Sequence, residues 1–402
     1  MIDLSNAIAN DAAIRRIQRL QPAGGVGDKL FPPTYPAPTG SPQNEPPRHV
    51  FERRLVDGER VWTVLIDSVQ SQANRLEESL LVAARNGLRL PYVTVDFSRA
   101  GLDPLAEITS LDAPHRVYDA IFRDSLLGTE SFMQSEQGRR LASASPADAT
   151  ALLELAPTAL VFGAWHSQGE GGGLGAKFAR VLVSEIMGIN VPVDESPNPR
   201  TGEIVAQSAG RRTGSRIDPL GVLRKVEVYK SPTDWATSKD AAGRGAKKVR
   251  PSEINHGNIA PTVEPLGVTC AYAEHRAVIS LAGLRRLQFG SEDRNTMARY
   301  LLLLIGLIAL SEQDKQGYAL RSRCDLVCDD SAPVELVHSD GSTSTMDLAP
   351  DDLRQRYDSA FERAVDVGFE FDSLRLTPQP KLVEIVQQSR KLALEGAGGD
   401  DE

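Results

Sequence analysis

The sequence predicts an α+β fold whose core is interrupted by long insertions. Strand-like segments are mostly separated by helical patterns and long polar stretches, which is typical of that class. The 402 residues suffice for two domains, or for one domain with large insertions, and the composition is that of a soluble globular protein. The sequence contains no internal repeat.

The N-terminal quarter contains the clearest local signals. Asp57-Gly58 is a turn dipeptide between two strand-like runs and predicts a hairpin. Asp67 and Gln70 have the spacing of a helix N-cap and its N3 residue, so they predict the start of a helix. The polar start of that helix is either plain surface or a phosphate contact through Gln70, Ser71, Asn74 and Arg75. The predicted elements are a helix over residues 5–20, an extended Pro- and Gly-rich segment over 21–47, a hairpin over 50–67, a helix over 68–85 and a strand over 91–97.

The stretch from residue 158 to residue 191 combines a predicted strand, a glycine-rich turn and a predicted helix. Residues 158–165 are short and apolar, residues 166–175 contain five glycines, and residues 176–187 have apolar side chains at helical spacing. Glycine allows close backbone approach, and a helix N-terminus offers free N–H groups and a positive dipole end. We therefore expect an anion to bind at this turn. The alternative is a tight turn whose glycines serve packing alone.

Three known motifs can be compared with this stretch. A P-loop requires Lys directly after its second glycine, but Ala176 precedes Lys177 here. A nucleophile elbow requires a glycine at the position that Trp165 occupies. The dinucleotide fingerprint fits in its alanine form, with Gly171, Gly173 and Ala176, so a nicotinamide-dependent oxidoreductase is an alternative function.

Residues 194–261 differ in character from the rest of the chain, and we call this segment the basic arm. Residues 196–256 contain twelve Lys or Arg and six Asp or Glu, a surplus of +6, against −15 in the remainder of a chain whose total is −9. Large apolar residues are few, so we expect an arm and not a core element, with arginines that reach outward. A solvated charged face is the simpler interpretation, but the contrast in sign favours binding to nucleic acid and packing against copies of the chain. The basic residues include Arg211, Arg212, Arg216, Lys239, Arg244, Lys247, Lys248 and Arg250.

The remaining segments complete the α+β pattern. Residues 102–153 are interpreted as an insertion that covers one side of the core. The most apolar run, residues 300–310, is about half the length of a membrane span and predicts a buried helix. The other predicted elements are short helices over residues 114–123 and 146–153, a hairpin or bent strand pair over 266–284, a buried helix over 292–311, strands over 323–328 and 333–338, helices over 350–367 and 380–394, and a disordered acidic tail.

Residues that could support catalytic or metal chemistry are scattered. The six histidines form no metal-binding motif, and only His166, beside the glycine turn, is singled out. The three cysteines, Cys270, Cys324 and Cys328, predict buried free thiols in a reducing cytoplasm. No basic-then-apolar signal sequence opens the chain. We expect no metal, no cofactor and no membrane partner.

Several strings, each longer than a generic motif, resemble one known family from about Lys29 to Leu376. They are GDKLFPPTYP, LIDSVQSQANRLEESL, FGAWHSQGEGGGLGAKFARVLVSEI, RRTGSRIDPLG, PSEINHGNI and SRCDLV. The family they resemble is the type I-G (formerly I-U) CRISPR-associated RAMP backbone subunit, of the Cas-seven family. The opening helix and the acidic tail lie outside the resemblance.

The resemblance implies a fold, a function and partners. The fold is an RRM-like palm with insertions that form fingers and a basic thumb. Copies of such a subunit polymerise along a CRISPR RNA in a Cascade complex with other subunits, present the guide for pairing with target DNA, and do not cut. Aromatic content of only 5% favours guide binding through phosphate and sugar, with little sequence preference. Cleavage of target RNA by a loop acid, as in some related subunits, is a weaker alternative, because no loop Asp is marked out for it.

The resemblance also implies how the chain is divided and which residues bind RNA. The segments are an N-terminal helix and extended segment (1–48), a first part of the palm (49–193) with a finger insertion at about 102–157, the thumb (194–261), a second part of the palm (262–376) and a C-terminal helix and acidic tail (377–402). The candidate RNA-binding residues are Gln70, Ser71, Asn74, Arg75, His166, Gln168, Gly171, Gly172, Gly173, Lys177, Arg180, Arg211, Arg212, Arg216, Asn255 and His256.

Overall fold

The computed structural model of this chain describes residues 3–36, 48–166, 177–197, 202, 204–264, 266–330 and 332–396. The chain divides into two compact units. We call the first the sheet unit, which comprises Met1–Pro192 and Val268–Gln379, and the second the arm unit, which comprises Val193–Gly267 and Pro380–Glu402.

The helices and strands are numbered in chain order. Up to residue 131 they are α1 (Leu4–Asn10), β1 (Ala13–Pro22), β2 (Phe51–Val56), β3 (Glu59–Asp67), α2 (Val69–Arg85), β4 (Thr94–Asp96), β5 (Glu107–Thr109), α3 (Ala120–Arg123), β6 (Ser125–Leu127) and β7 (Glu130–Ser131). Up to residue 264 they are α4 (Glu136–Ser143), α5 (Thr150–Leu155), α6 (Thr158–Phe162), β8 (Ala164–Trp165), β9 (Lys177–Phe178), β10 (Leu182–Ile189), β11 (Val193–Pro197), β12 (Ile204–Ser208), β13 (Arg212–Arg216), β14 (Val228–Lys230), β15 (Trp235–Ala236), β16 (Lys247–Val249) and β17 (Ile259–Glu264). The remainder are β18 (Tyr272–Ser280), α7 (Leu281–Arg285), α8 (Glu292–Gln316), β19 (Tyr318–Arg321), β20 (Cys324–Cys328), β21 (Val334–Val337), β22 (Thr343–Met346), α9 (Pro350–Asp366), β23 (Arg375–Pro378) and α10 (Pro380–Gly396).

The main sheet of the sheet unit is antiparallel throughout. Its strand order is β19-β20-β1-β18-β10-β3-β2, and the hairpin β21–β22 joins it where β21 pairs with β1. Helix α2 packs on β10 and on α8. A smaller sheet has the order β5-β4-β23-β6-β7, in which β23 pairs with β4 in parallel and with β6 in antiparallel orientation. The prediction of an α+β fold is therefore confirmed.

Helix α8 is the centre of the apolar core. All residues from Tyr300 to Leu310 are buried, because this helix is apolar around its whole circumference there. Of the helices that the structure describes, it is the one long and apolar enough to cross a membrane by length and composition, and 72% of its apolar window is buried inside the protein. The prediction of a buried core helix is confirmed.

Other predicted elements are also confirmed. The hairpin β2–β3 turns at Asp57-Gly58, where both residues have positive φ. The predicted strands over 91–97, 323–328 and 333–338 contain β4, β20 and β21, and α9 and α10 match the last two predicted helices. The segments 114–123 and 146–153 overlap the short helices α3 and α5.

The predicted cap of α2 was wrong by one residue. Ser68 is the N-cap, and its hydroxyl accepts a hydrogen bond from the backbone N–H of Ser71 at 3.3 Å. Asp67 is fully buried and binds the guanidinium groups of Arg75 and Arg321 at 3.0 and 3.1 Å. A buried carboxylate requires charged or polar partners, so Asp67 links elements of the core instead of capping the helix.

The prediction of a helix over residues 5–20 was wrong in its second half. A short helix, α1, ends at Asn10, and Ala13–Pro22 is the strand β1 in the middle of the main sheet. Burial alternates along this strand, with Ile14 and Leu20 inside and Arg15 and Arg19 more exposed. The period of the apolar pattern here is two and not 3.6 residues, and its charged residues concealed it.

The prediction for residues 158–191 was also wrong. Thr158–Phe162 is the short helix α6 instead of a strand, and the predicted helix over 176–187 is replaced by β9 and β10. In β10, Leu182, Ser184 and Ile186 are buried and Val183 is exposed, which is the alternation of a strand. Of the glycine turn, residues 166–175, all but His166 lie outside the described residues. A dinucleotide fingerprint requires a helix after its glycines, so the segment lacks the structural context of the oxidoreductase alternative.

The prediction of a hairpin or bent strand pair over residues 266–284 was wrong as well. The segment contains one strand, β18, which runs without a turn from Tyr272 to Ser280 and leads into the helix α7. The Ser280 hydroxyl caps that helix by accepting from the backbone N–H of Gly283 at 2.9 Å.

The arm unit consists of short antiparallel strands. The pairs β11–β12 and β13–β17 are separate two-stranded ribbons, and β15-β14-β16 is a three-stranded sheet. In the described part of residues 193–267 the buried apolar side chains are Val228, Ala242, Ala246 and Pro251, while Ile217 is 84% exposed. This part of the unit therefore has little apolar core of its own.

Candidate functional site

An open groove in the sheet unit brings together residues that are distant in sequence. Its volume is about 740 Å³, and we call it the groove. Its walls come from the start of α2, from the turn before α3, and from the segments on either side of the glycine turn. Its lining includes the exposed polar and aromatic side chains of Gln70, Asn74, His115, Trp165, Lys177 and Arg180.

A buried ion pair holds the groove together. The Arg116 guanidinium donates to the two carboxylate oxygens of Glu77 at 2.8 and 2.6 Å, and the two side chains are only 7% and 2% exposed. A third hydrogen bond runs from Arg116 to the backbone carbonyl of Gly163 at 2.9 Å. Burial raises the pKa of Glu77 to about 7, and the charge of Arg116 opposes this rise. The pair thus joins α2, the turn before α3 and the end of α6.

Gly163 determines the path of the chain beside that ion pair. It has φ +83°, and an added Cβ would lie 2.8 Å from Cγ of Arg180 and 3.0 Å from the carbonyl oxygen of Phe178. Because only glycine fits there without strain, the chain can leave α6 sharply and form β8. Arg180 Nε in turn donates to the carbonyl of Phe162 at 3.1 Å. Burial, and then the nearby charge of Arg116, lowers the pKa of Arg180.

The ribbon β8–β9 carries an aromatic side chain and a cation into the groove. Trp165 and Lys177 are directly opposite each other, and the Lys177 ammonium lies 4.5 Å from the centre of the indole ring. Trp165 is still 49% exposed. Next to it, the rings of His166 and Tyr118 stack at 4.8 Å with an angle of 8° between their planes. Burial lowers the pKa of His166, which favours its neutral form.

The electrostatic character of the groove follows from this lining. Lys177 and Arg180 are exposed cations, and Gln70 and Asn74 offer amide groups that both donate and accept hydrogen bonds. Among the described lining residues none is a carboxylate, since Glu77 lies behind the wall and is paired with Arg116. The groove can therefore bind an anion and a planar group together.

The structure brings some predicted site residues together and separates others. Gln70, Asn74, Lys177 and Arg180 all line the groove. Arg75 is engaged inside the sheet unit, where it pairs with Asp67 and donates to the carbonyl of Leu320. Ser71 and His166 do not line the groove; His166 follows the lining residue Trp165 in the chain and stacks on Tyr118. Four further predicted residues lie outside the described part of the chain: Gln168, Gly171, Gly172 and Gly173.

The predicted residues of the basic arm are more constrained than expected. Arg211 pairs with Asp194 at 3.1 Å and donates to the carbonyl of Ser208. Arg216 does not simply reach outward, because its guanidinium donates to the carbonyls of His256 and Gly257 at 3.1 and 3.0 Å. The expectation was that these arginines are not held by a core and reach outward. Arg211 is exposed, in agreement with it, whereas Arg216 is half-buried and bonded to the backbone.

The other candidate residues of the arm lie on ribbons and turns. Arg212 is opposite Glu264 in the ribbon β13–β17. Asn255 is exposed and has the left-handed backbone conformation, with φ +60°. His256 packs edge-on against Trp235, with 5.8 Å between ring centres.

Sequence reasoning missed the residues that organise the groove. Trp165 adjoins the glycine turn and was visible as an aromatic residue there, but it was considered only as a mismatch to a catalytic motif. Glu77 lies on the inner face of α2, and Arg116 is 39 positions later, so no local pattern connects them. No local pattern pointed to Gly163 either, because glycine is needed there to avoid close contact with residues 178 and 180, which come later in the chain.

Outside the groove, one hydrogen-bonded series of side chains resembles a catalytic triad. His338 contacts Asp11 through Nδ1 at 2.8 Å and Ser344 through Nε2 at 2.7 Å. The His338 side chain is one-third exposed and that of Asp11 is 12% exposed. Through His338, these bonds attach the β21–β22 hairpin to Asp11, two residues before β1. In the part of the chain that the structure describes, no group of three or more His, Cys, Asp or Glu residues could hold a metal ion.

Comparison with known proteins gives one family match. Residues 14–193 match the family model described as CRISPR-associated protein GSU0053. Every groove residue named above lies within this range. Among solved structures, the crystal structure of Thermofilum pendens Csc2 is similar with 14% identity, a TM-score of 0.27 and coverage of 99% of this chain and 81% of that chain, a likeness too weak to assign a function. No curated protein matches.

Proposed function

We propose that this chain, whose residues 14–193 match the GSU0053 family of CRISPR-associated proteins, is a member of that family and a backbone subunit of a Cascade complex that binds CRISPR RNA through sugar and phosphate. The groove is the observation that favours this function most strongly, because it combines two exposed cations, amide groups and an exposed indole without a carboxylate in its described lining. The groove also lies within the part of the chain that matches the family.

The strand order supports an RRM-like palm. The elements β1, α2, β10, β18, α8 and β20 follow one another in the chain in the order β-α-β-β-α-β, with other elements between them. In the sheet these four strands have the order β20-β1-β18-β10, and all neighbours are antiparallel. If the four strands are numbered in chain order, the sheet order is 4-1-3-2, which is the strand order of a ferredoxin-like fold. In this scheme the basic arm is an insertion between the second and third strands, where a thumb would begin.

The chemistry of guide binding follows from the groove. Lys177 and Arg180 neutralise phosphate and release counterions, while Gln70 and Asn74 bond to phosphate or ribose oxygens. The buried pair of Arg116 and Glu77 keeps these groups in position without contacting RNA. None of these contacts reads a base edge for its identity, which suits a subunit that must accept any spacer sequence.

The remaining parts of the proposal concern assembly. Copies of the subunit polymerise along the guide, other Cascade subunits complete the complex, and the guide is presented for pairing with target DNA. The surplus of positive charge in the basic arm strengthens attraction to the same RNA. The subunit has a structural and not a catalytic role, and it works in the cytoplasm, where the guide and the target meet.

The test is RNA binding by a groove variant. Replacing Lys177 and Arg180 by Ala should weaken binding of single-stranded RNA of any sequence, measured by fluorescence anisotropy over a range of salt concentrations. The negative slope of log affinity against log salt should flatten by about 1.4, since each lost phosphate contact on a single strand contributes about 0.7 to its magnitude.

The matched control is the double variant Arg99→Ala, Arg286→Ala. It removes two exposed arginines of the sheet unit that do not line the groove. Equal salt slopes for the two double variants would exclude the groove as the RNA site. Failure of the unaltered protein to bind RNA would overturn the proposed function itself.

A further inference from the structure

Trp165 is unusual because a large aromatic side chain stands half exposed in the groove, beside the cations Lys177 and Arg180. In a chain with only 5% aromatic residues, guide binding through sugar and phosphate alone would give this ring no role. We propose that the groove holds one unstacked nucleobase of the bound RNA against the indole of Trp165. This inference rests on the proposed function, and it adds a base contact to the expected phosphate contacts.

The backbone that carries the indole is held by contacts within the sheet unit. Trp165 belongs to the ribbon β8–β9, in which it pairs with Lys177 across the strands. The ribbon starts at Gly163, whose carbonyl is held by Arg116 and whose backbone conformation allows no side chain. A preorganised ring loses little conformational freedom when a base stacks on it.

The indole of Trp165 also lies beside a cation and has an exposed part on which a base could stack. The Lys177 ammonium lies 4.5 Å from the ring centre and covers one part of it, while 49% of the residue remains exposed. A cation beside an aromatic ring attracts both the ring and a nearby phosphate. A base on the exposed part of the indole would therefore bring its own phosphate close to Lys177 or Arg180.

The size and polarity of the groove agree with one nucleotide. A volume of about 740 Å³ lies within the range of about 300 to 1,000 Å³ for small-ligand sites. Gln70 and Asn74 each carry a donor and an acceptor, so they can bond to the edge of any of the four bases. Stacking with such adaptable partners is tolerant of sequence, in agreement with a guide whose sequence varies.

The experiment separates base contacts from phosphate contacts. The unaltered protein and the variants Trp165→Ala and Trp165→Phe are titrated with an RNA oligonucleotide and with an abasic ribose-phosphate oligomer of the same length. For the unaltered protein, intact RNA should bind about tenfold more tightly than the abasic oligomer, a difference of about 1.4 kcal/mol. Trp165→Ala should lose most of this difference without changing its affinity for the abasic oligomer, and Trp165→Phe should retain part of it.

Tryptophan fluorescence gives a second measurement. The chain has three tryptophans, so the quenching lost in Trp165→Phe isolates the signal of Trp165. Intact RNA should quench this signal and the abasic oligomer should not. If RNA binds but Trp165→Ala still discriminates fully between the two ligands and no Trp165 signal changes, the stacking inference is wrong, whereas the proposed function stands. The stacking inference would also be wrong if Trp165 fluorescence did not respond to RNA but changed when a protein partner bound.

Discussion

The groove and the basic arm are both positively charged, but different physical causes place their charges. In the groove, Lys177 and Arg180 are presented by a ribbon whose start is held by the buried pair of Arg116 and Glu77. In the arm, the cations lie on short strands and turns with few buried apolar side chains behind them. The groove therefore has a defined geometry, whereas the arm has mainly a surplus of charge.

If the proposed function holds, this difference predicts that the two regions contribute to RNA binding in different ways. A fixed set of donors can position a nucleotide, since each contact is made without further ordering of the protein. A surplus of charge on short ribbons attracts RNA over a longer range, and salt screens that attraction. Substitutions in the residues that hold the groove together, such as Arg116, should thus affect folding and binding together. Substitutions in the arm should affect the salt dependence of binding.

The largest effect is expected from Arg116→Ala. The substitution leaves Glu77 buried without its partner, and breaking such a pair costs about 3 to 5 kcal/mol of the free energy of unfolding. Urea unfolding at pH 8 measures this loss, with the exposed Arg99→Ala as control. A loss below about 1 kcal/mol would show that the ion pair does not hold the groove together.

The pH dependence of the same variant sharpens the result. The pKa of Glu77 is raised by burial to about 7, above its ordinary value of 4.5, so between these values the folded state retains a proton that the unfolded state releases. Its contribution to stability is therefore greatest below pH 4.5 and falls as the pH rises towards 7. Without Arg116 the carboxyl should hold its proton more strongly still. The difference in stability between Arg116→Ala and the unaltered protein should widen from pH 5 to pH 8.

A smaller effect is expected from Gly163→Ala. The added Cβ meets positive φ and two atoms within 3.0 Å, so the ribbon β8–β9 must shift. We expect a loss of about 2 kcal/mol of stability and weaker RNA binding, measured by thermal unfolding and anisotropy. The control is Gly128→Ala, which has φ +63° but no atom within 4 Å of the added Cβ. Equal effects of the two substitutions would mean that close approach at Gly163 is unimportant.

Substitutions in the basic arm should change the salt dependence of RNA binding more than the stability of the fold. Replacing Arg211, Arg212 and Arg216 by Ala should flatten the salt slope of RNA binding by up to about 2, if all three contact phosphate. Oligomers on a long RNA should also shorten, as judged by sedimentation. Because Arg216 bonds to two backbone carbonyls, a single Arg216→Ala is the control that reports any loss of arm structure. An unchanged slope with a lower melting temperature would assign these arginines to structural contacts only.

The two regions also differ in how far the sequence could predict them. The basic arm was found from composition, because the sign of its charge contrasts with the rest of the chain. Individual residues of the groove, such as Gln70 and Lys177, could be predicted from the sequence. That they lie together in one groove could not. Their convergence depends on Arg116 and Glu77, a pair formed by tertiary packing that leaves no periodic trace in the sequence.

In both strands that were predicted as helices, the apolar residues alone do not show the period of two. In β1 the buried face includes Arg16 and Gln18, so apolar residues alone do not show a period of two. In β10 the opposite occurs, because Leu182 and Ile186 are buried four residues apart, a spacing that a helix and a strand share. The long helices α2 and α8 were predicted well, since length and an apolar surface leave no such ambiguity.

The smallest effect is expected at Ser344, and it bears on whether the chain has any chemistry outside the groove. Asp11, His338 and Ser344 are bonded in the order of a hydrolase triad, but these bonds also attach the β21–β22 turn to the start of β1. We expect the second role, so the unaltered protein should not react with a fluorophosphonate that labels activated serines. Ser344→Ala should lower the free energy of unfolding by only about 1 kcal/mol, the value of one hydrogen bond, and leave RNA affinity unchanged. His338→Gln is the control, because an amide can keep one of the two bonds. Labelling that depends on both Ser344 and His338 would instead identify a nucleophile, and the chain would no longer be purely structural.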